Sequence, residues 1–118
     1  MPDFDVEKMV HHYAICALWS STGEDGEPLD AEHEVTTIAP ETMAQFRTDC
    51  AAFAESCAAD LEGMTPEQAG HDFWLTRNGH GAGFWDRGLG ERGERLTQVA
   101  RPYGEVELYV GDDGQIWA

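Results

Sequence analysis

Between His71 and Arg87 the chain concentrates side chains able to do chemistry: His71, Asp72, Arg77, Asn78, His80, Asp86 and Arg87. His71, Asp72, His80 and Asp86 are of the types that ligate a metal ion or transfer a proton. Gly79, Gly81 and Gly83 would let a backbone come close to a phosphate. The phosphate loops with a known mechanism, however, continue into Gly-Lys-Ser/Thr and a helix, and this segment does not. No Ser, Cys or Lys nucleophile stands beside an evident base in it. A β-hairpin turning at Asn78-Gly79, with Asp86 and the arginines paired across strands, accounts for the same residues without catalysis.

The other candidates carry charge rather than chemistry. Among 118 residues there are 23 Asp plus Glu against 7 Lys plus Arg, a formal net charge of −16. Residues 1–60 hold 13 acids and 2 bases, whereas residues 61–118 hold 10 acids and 5 bases. Glu24, Asp25, Glu27, Asp30, Glu32 and Glu34 follow one another with no Lys or Arg between them. They lack the alternating Asp/Asn ligands and closing Glu of a helix-loop-helix calcium site. Such a charge opposes binding to DNA, RNA or an anionic membrane, and it suits a positively charged partner surface. Solubility or adaptation to salt would produce the same imbalance. His11 and His12 are adjacent, so on a helix they diverge by about 100° and do not chelate well. Neither a cofactor nor a metal is called for.

The three cysteines, Cys16, Cys50 and Cys57, form no paired motif, and their odd number argues for reduced thiols in a cytoplasm. Cys50 and Cys57 would stand about 10.5 Å apart along a helix, beyond the reach of a disulfide. No apolar run is long enough to cross a membrane, and the acidic start MPDFDVEKMV is unlike a secretory signal.

The elements that position these residues follow from periodicity. Residues 5–20 read as a helix with Val6, Val10, Tyr13, Ala14, Ala17 and Leu18 on one side and Asp3 or Asp5 as cap. Glu34–Ile38 reads as a weak strand or an extended entry to the next element. A second helix opens at Pro40, carries Met43, Phe46, Cys50, Phe53, Cys57 and Leu61 inward, and stops at Gly63. Its outer side would expose Asp49, Glu55 and Asp60. Thr65 caps one further short turn. From His71 the alternation suggests strands that turn at residues 78–83 and return through Phe84–Arg87. A short helix at Glu94–Ala100, a strand over 105–110 and a tight turn at Gly111–Gly114 complete the reading, with Gln115–Trp117 pairing back.

Residues 70–97, GHDFWLTRNGHGAGFWDRGLGERGERLT, resemble a motif that recurs in small uncharacterised proteins of bacteriophages and other mobile elements. The match covers about a quarter of the chain, with a looser likeness at Tyr103-Gly-Glu and Gly111-Asp-Asp-Gly114. The resemblance implies a phage-type gene product acting inside a bacterial cell, an anti-CRISPR protein among the candidates. It implies no particular chemistry.

The sequence is therefore expected to form a single α+β domain, two or three helices packed on a small antiparallel β-sheet. Residues 1–64 would be its acidic helical part, and residues 65–118 its hairpin, short helix and second hairpin. The expected function is a non-catalytic, DNA-mimicking inhibitor in the host cytoplasm. Its partner would be the basic surface of a host nucleic-acid-binding complex, a CRISPR surveillance complex first, with no direct contact to nucleic acid or membrane. Partner contacts would come from Glu24, Asp25, Glu27, Asp30, Glu32, Glu34, Asp49, Glu55 and Asp60. Arg77, Asn78, His80, Asp86 and Arg87 are the hairpin candidates. The alternatives are a small metal-dependent or acid/base enzyme centred on the hairpin, and a structural or regulatory phage protein.

Overall fold

Aromatic and aliphatic side chains from four helices meet in one buried cluster, which includes Tyr13, Phe46, Phe53, Phe73, Trp74, Phe84 and Leu96. This arrangement is seen in a computed structural model, which describes residues 5–22, 26–31, 33–79, 83–84 and 88–118.

Helix α1 (Val6–Ser20) begins where the Asp5 side chain accepts a hydrogen bond from Lys8 N–H, 3.2 Å, satisfying one of the unpaired first-turn donors. It buries Met9, Val10, Tyr13, Ala14, Cys16, Ala17 and Leu18. Helix α2 (Pro40–Ser56) starts on proline, whose missing N–H has no intrahelical role at that position. It buries Phe46, Cys50 and Phe53, and it ends sooner than expected: residues 57–63 are turns, closed at Gly63 with φ +85°. Glu34–Ile38 is not a strand. Val35–Thr37 forms a single 3-10 turn, and only Ile38 pairs, in a parallel bridge with Ile116.

The main departure from expectation is helix α3 (Pro66–Arg77). Thr65 does cap it, accepting from Gln68 N–H at 3.1 Å, but the helix runs on for three turns through the residues expected to form the first hairpin strand. Its buried residues are Ala69, Gly70 and every position from Asp72 to Arg77. From Asp72 to Arg77 polar and apolar residues alike are buried, so no exposed polar face marks the 3.6-residue period there, and Phe73-Trp-Leu-Thr is open to reading as alternation. The packing holds it as a helix. Phe73 stacks on Phe53 with centroids 4.2 Å apart and planes within 7°. Trp74 meets Tyr13 edge to face and donates its indole N–H to Ser20 Oγ, 2.7 Å. Gly70 lies against α1, where an added Cβ would run into the Met9 carbonyl and stand 2.9 Å from Tyr13 N.

Asn78 and Gly79, the latter at φ +72°, end this helix where a hairpin turn was expected, and residues 80–82 of that turn lie outside the described set. The proposed return strand falls at Phe84–Arg87. Phe84 is buried and its N–H donates to Thr76 Oγ1, 3.2 Å, while residues 85–87 lie outside the described set. Helix α4 (Glu91–Ala100) begins at Gly90 and buries Gly93, Leu96, Thr97 and Ala100.

Apart from the isolated bridges Thr22–Pro28 and Ile38–Ile116, strand pairing among the described residues is limited to β1 (Tyr109–Val110) against β2 (Ile116–Trp117), antiparallel, in register Tyr109 with Trp117 and Val110 with Ile116. Of the strand expected over 105–110 only Tyr109–Val110 forms, and Ile116–Trp117 pairs back onto it as expected. Val106 N–H donates instead to Asn78 Oδ1, 2.8 Å, tying this segment to the end of α3, and Val110 faces outward. The domain is thus helix-dominated, with a short ribbon where helices on a sheet were expected.

Candidate functional site

Four arginines are bonded to the protein's own carboxylates or carbonyls: Arg77 in the interior, Arg92 partly buried, and Arg47 and Arg95 on the surface. Arg77, 7% exposed, sits at the end of α3 among four acceptors. Its Nη1 donates to Tyr13 Oη at 3.0 Å and Asp49 Oδ2 at 2.9 Å, while Nε and Nη2 donate to the carbonyls of Gly104 and Tyr103, each at 2.8 Å. The guanidinium also lies over the rings of Phe73 and Tyr103, 5.7 and 5.4 Å from their centroids. Arg92 donates to the carbonyls of Asp60 and Glu62, at 3.0 and 2.8 Å. Arg95 grips both Asp60 carboxylate oxygens, at 2.7 and 3.0 Å, and this hydrogen bonding holds the Asp60 carboxyl below its ordinary range. Arg47 pairs with Glu7 on the surface, 3.0 Å.

Two of the expected partner contacts are therefore employed elsewhere. Asp49 is not on an open face of α2, because its side chain is 16% exposed and engaged by Arg77. Asp60 lies beyond the end of α2 and is engaged by Arg95. Glu55 is exposed on α2, as are Glu27, Asp30 and Glu34 in the segment between α1 and α2. Asp30 belongs to the 3-10 turn Leu29–Ala31, and Glu34 precedes the next turn, its carbonyl accepting from Thr37 N–H and Oγ1 at 2.9 and 2.7 Å. Glu24, Asp25 and Glu32 lie outside the described residues, as do His80, Asp86 and Arg87.

The described members of the hairpin constellation belong to a helix and its capping turn, and His80, Asp86 and Arg87 lie outside the described residues. Asp72 is fully buried and accepts from Gln68 Nε2 at 2.9 Å, one turn back along α3. His71 Nδ1 stands 3.5 Å from Asp72 Oδ1, and its ring lies 6.2 Å from that of Trp19. Asn78 spends its side chain on the Trp74 carbonyl and on Val106 N–H, at 2.9 and 2.8 Å, and Arg77 is held as described above. Among the described residues no group of three His, Cys, Asp or Glu side chains converges to hold a metal ion. Burial raises the Cys16 thiol to about 12 and the Cys57 thiol to about 11, and it raises Cys50 further, so these sulfurs stay protonated at neutral pH.

Sequence reading missed Tyr13 and Tyr103 as partners of Arg77, since those contacts join residues 64 and 26 positions apart. It also missed Ile15 and Trp19, which are 41% and 58% exposed on the outer side of α1. Their spacing of four was a usable signal, because it falls beside the apolar stripe and not in it. Comparison of the chain with protein-family models, with curated proteins and with solved structures finds no match in any of the three.

Proposed function

We propose that this protein is a non-catalytic acidic inhibitor of a phage-type gene product's kind. It would occupy the nucleic-acid groove of a bacterial defence complex, foremost a CRISPR surveillance complex. The observation that carries the reading is the pairing of arginine with groups of the protein itself. Arg47, Arg77, Arg92 and Arg95 are bound to the protein's own carboxylates and carbonyls. Glu27, Asp30, Glu34, Glu41, Glu55 and Glu62 stand exposed. The long-range field is accordingly that of a polyanion with net charge −16. Duplex DNA carries roughly one negative charge per 1.7 Å of axis, so proteins that bind it line their grooves with Lys and Arg. A folded surface of carboxylates is steered into such a groove and excludes the nucleic acid by competition. The motif at residues 70–97 fits this division of labour, because its described residues Phe73, Trp74, Arg77, Phe84 and Leu96 are core. On this reading the resemblance would concern a packing unit, and the acidic surface would carry the particular role.

The test is a titration against a purified surveillance complex in a DNA-binding assay. Inhibition should saturate at a fixed stoichiometry, weaken steeply as salt rises, and be lost in Glu27→Lys/Asp30→Lys/Glu34→Lys, whose exposed positions leave the fold intact. Multiple turnover, or full inhibition by the charge-reversed variant, would refute the reading.

A further inference from the structure

Helix α1 presents one large aliphatic side chain to solvent beside a cleft. Ile15, 41% exposed, borders a groove of about 350 Å³ between α1 and the two 3-10 turns. Ile15, Leu18 and Val35 form its apolar floor, and His11, His33, Asp30 and Glu34 form its rim. Its volume lies at the small end of the range in which proteins seat ligands.

We infer that this groove seats an apolar side chain of a basic polypeptide segment, with flanking Lys or Arg facing Asp30 and Glu34. The inference rests on the proposed function and names the point at which the basic partner is anchored. Charge selects the occupant. A second copy of the chain would bring another net −16 against the same rim, and nucleic acid or an anionic lipid surface would be repelled in the same way. A Lys/Arg-flanked apolar residue is attracted by the rim, and it removes the exposed Ile15 side chain from water. An apolar anchor enclosed by a charged rim is also the arrangement in which a few contacts dominate affinity. The rim mainly sets the association rate, and the anchor the dissociation rate.

The experiment measures binding of two labelled peptides to the full chain by fluorescence anisotropy. One carries a leucine between lysines, and the other carries serine in its place. The leucine peptide should bind about tenfold more tightly. Ile15→Ser, and separately Val35→Ala as a milder second variant, should erase or reduce that preference while circular dichroism stays unchanged. Methyl resonances of Ile15 and Val35 should move on titration with the leucine peptide. Equal binding of the two peptides, or a preference that survives Ile15→Ser, overturns the groove and leaves the charge-based reading standing. Binding of neither peptide overturns both. A concentration-dependent dimer abolished by Ile15→Ser would give the groove to a second copy and overturn the proposal.

Discussion

Arg77 Nη1 lies 2.9 Å from Asp49 Oδ2, joining the end of α3 to the middle of α2. The pair is 6% and 16% exposed, and Nε and Nη2 donate to the Gly104 and Tyr103 carbonyls. Removing one member of a buried pair costs more than the pair contributes, because the other charge loses its compensation. Arg77→Ala should therefore destabilise the domain by about 3–5 kcal/mol. Asp49→Asn keeps an acceptor and should cost clearly less. Urea unfolding of both variants checks this, and an Arg77→Ala midpoint equal to that of the unaltered chain would refute the arrangement.

Phe53 and Phe73 stack at 4.2 Å, and both are fully buried, with Phe84 against the other side of the stack at 5.6 Å. Truncating either ring leaves a cavity between α2 and α3. Phe53→Ala and Phe73→Ala should each lose about 3–5 kcal/mol, and the double variant less than the sum, because the two rings share one contact. Thermal melts showing full additivity would contradict the stack.

Gly70 is the point of closest approach between α1 and α3. A methyl group there would meet the Met9 carbonyl and Tyr13 N, both backbone atoms that cannot rotate away. Elsewhere in a helix Gly→Ala is favourable by about 1 kcal/mol. Gly70→Ala should do the opposite, costing about 1–3 kcal/mol or more as the helices separate. A rise in melting temperature for this variant would mean that the helices do not touch here.

The buried thiols predict an alkaline limit to stability. Cys16 is raised from 9.0 to about 12 and Cys57 from 9.0 to about 11, with burial the largest cause in both. Tyr13 is also raised from its ordinary 10.0 by burial. In the unfolded chain these groups release protons at their ordinary values, so above pH 9.0 the unfolded state binds fewer protons than the folded one. The thiol contribution is fully present below that pH and is lost as pH rises toward the folded values. The melting temperature should fall steadily from pH 9.0 to about 11, and Cys16→Ala/Cys57→Ala should flatten the slope. A profile level across that window in the unaltered chain would sink this account.

Much of the local structure was legible in the sequence. Helices α1 and α2 bury one face and expose the other, so their apolar residues recur at the helical period. The caps at Asp5 and Thr65 and the positive φ at Gly79 are requirements of a few adjacent residues. The net charge of −16 is a property of composition alone. Helix α3 was not legible, because from Asp72 to Arg77 polar and apolar residues alike are buried, and Phe73-Trp-Leu-Thr then suits either a helix or a strand. Only its neighbours decide, with Phe53 under Phe73 and Ser20 beside Trp74. Nor could the sequence say which carboxylates face a partner. Asp49 lies off the apolar stripe of its own helix, yet Arg77, 28 residues later, reaches it. Caps and periodicity act within a turn or two of chain, whereas the pairing that separates internal charges from surface charges is formed between distant segments, and only folding brings those together.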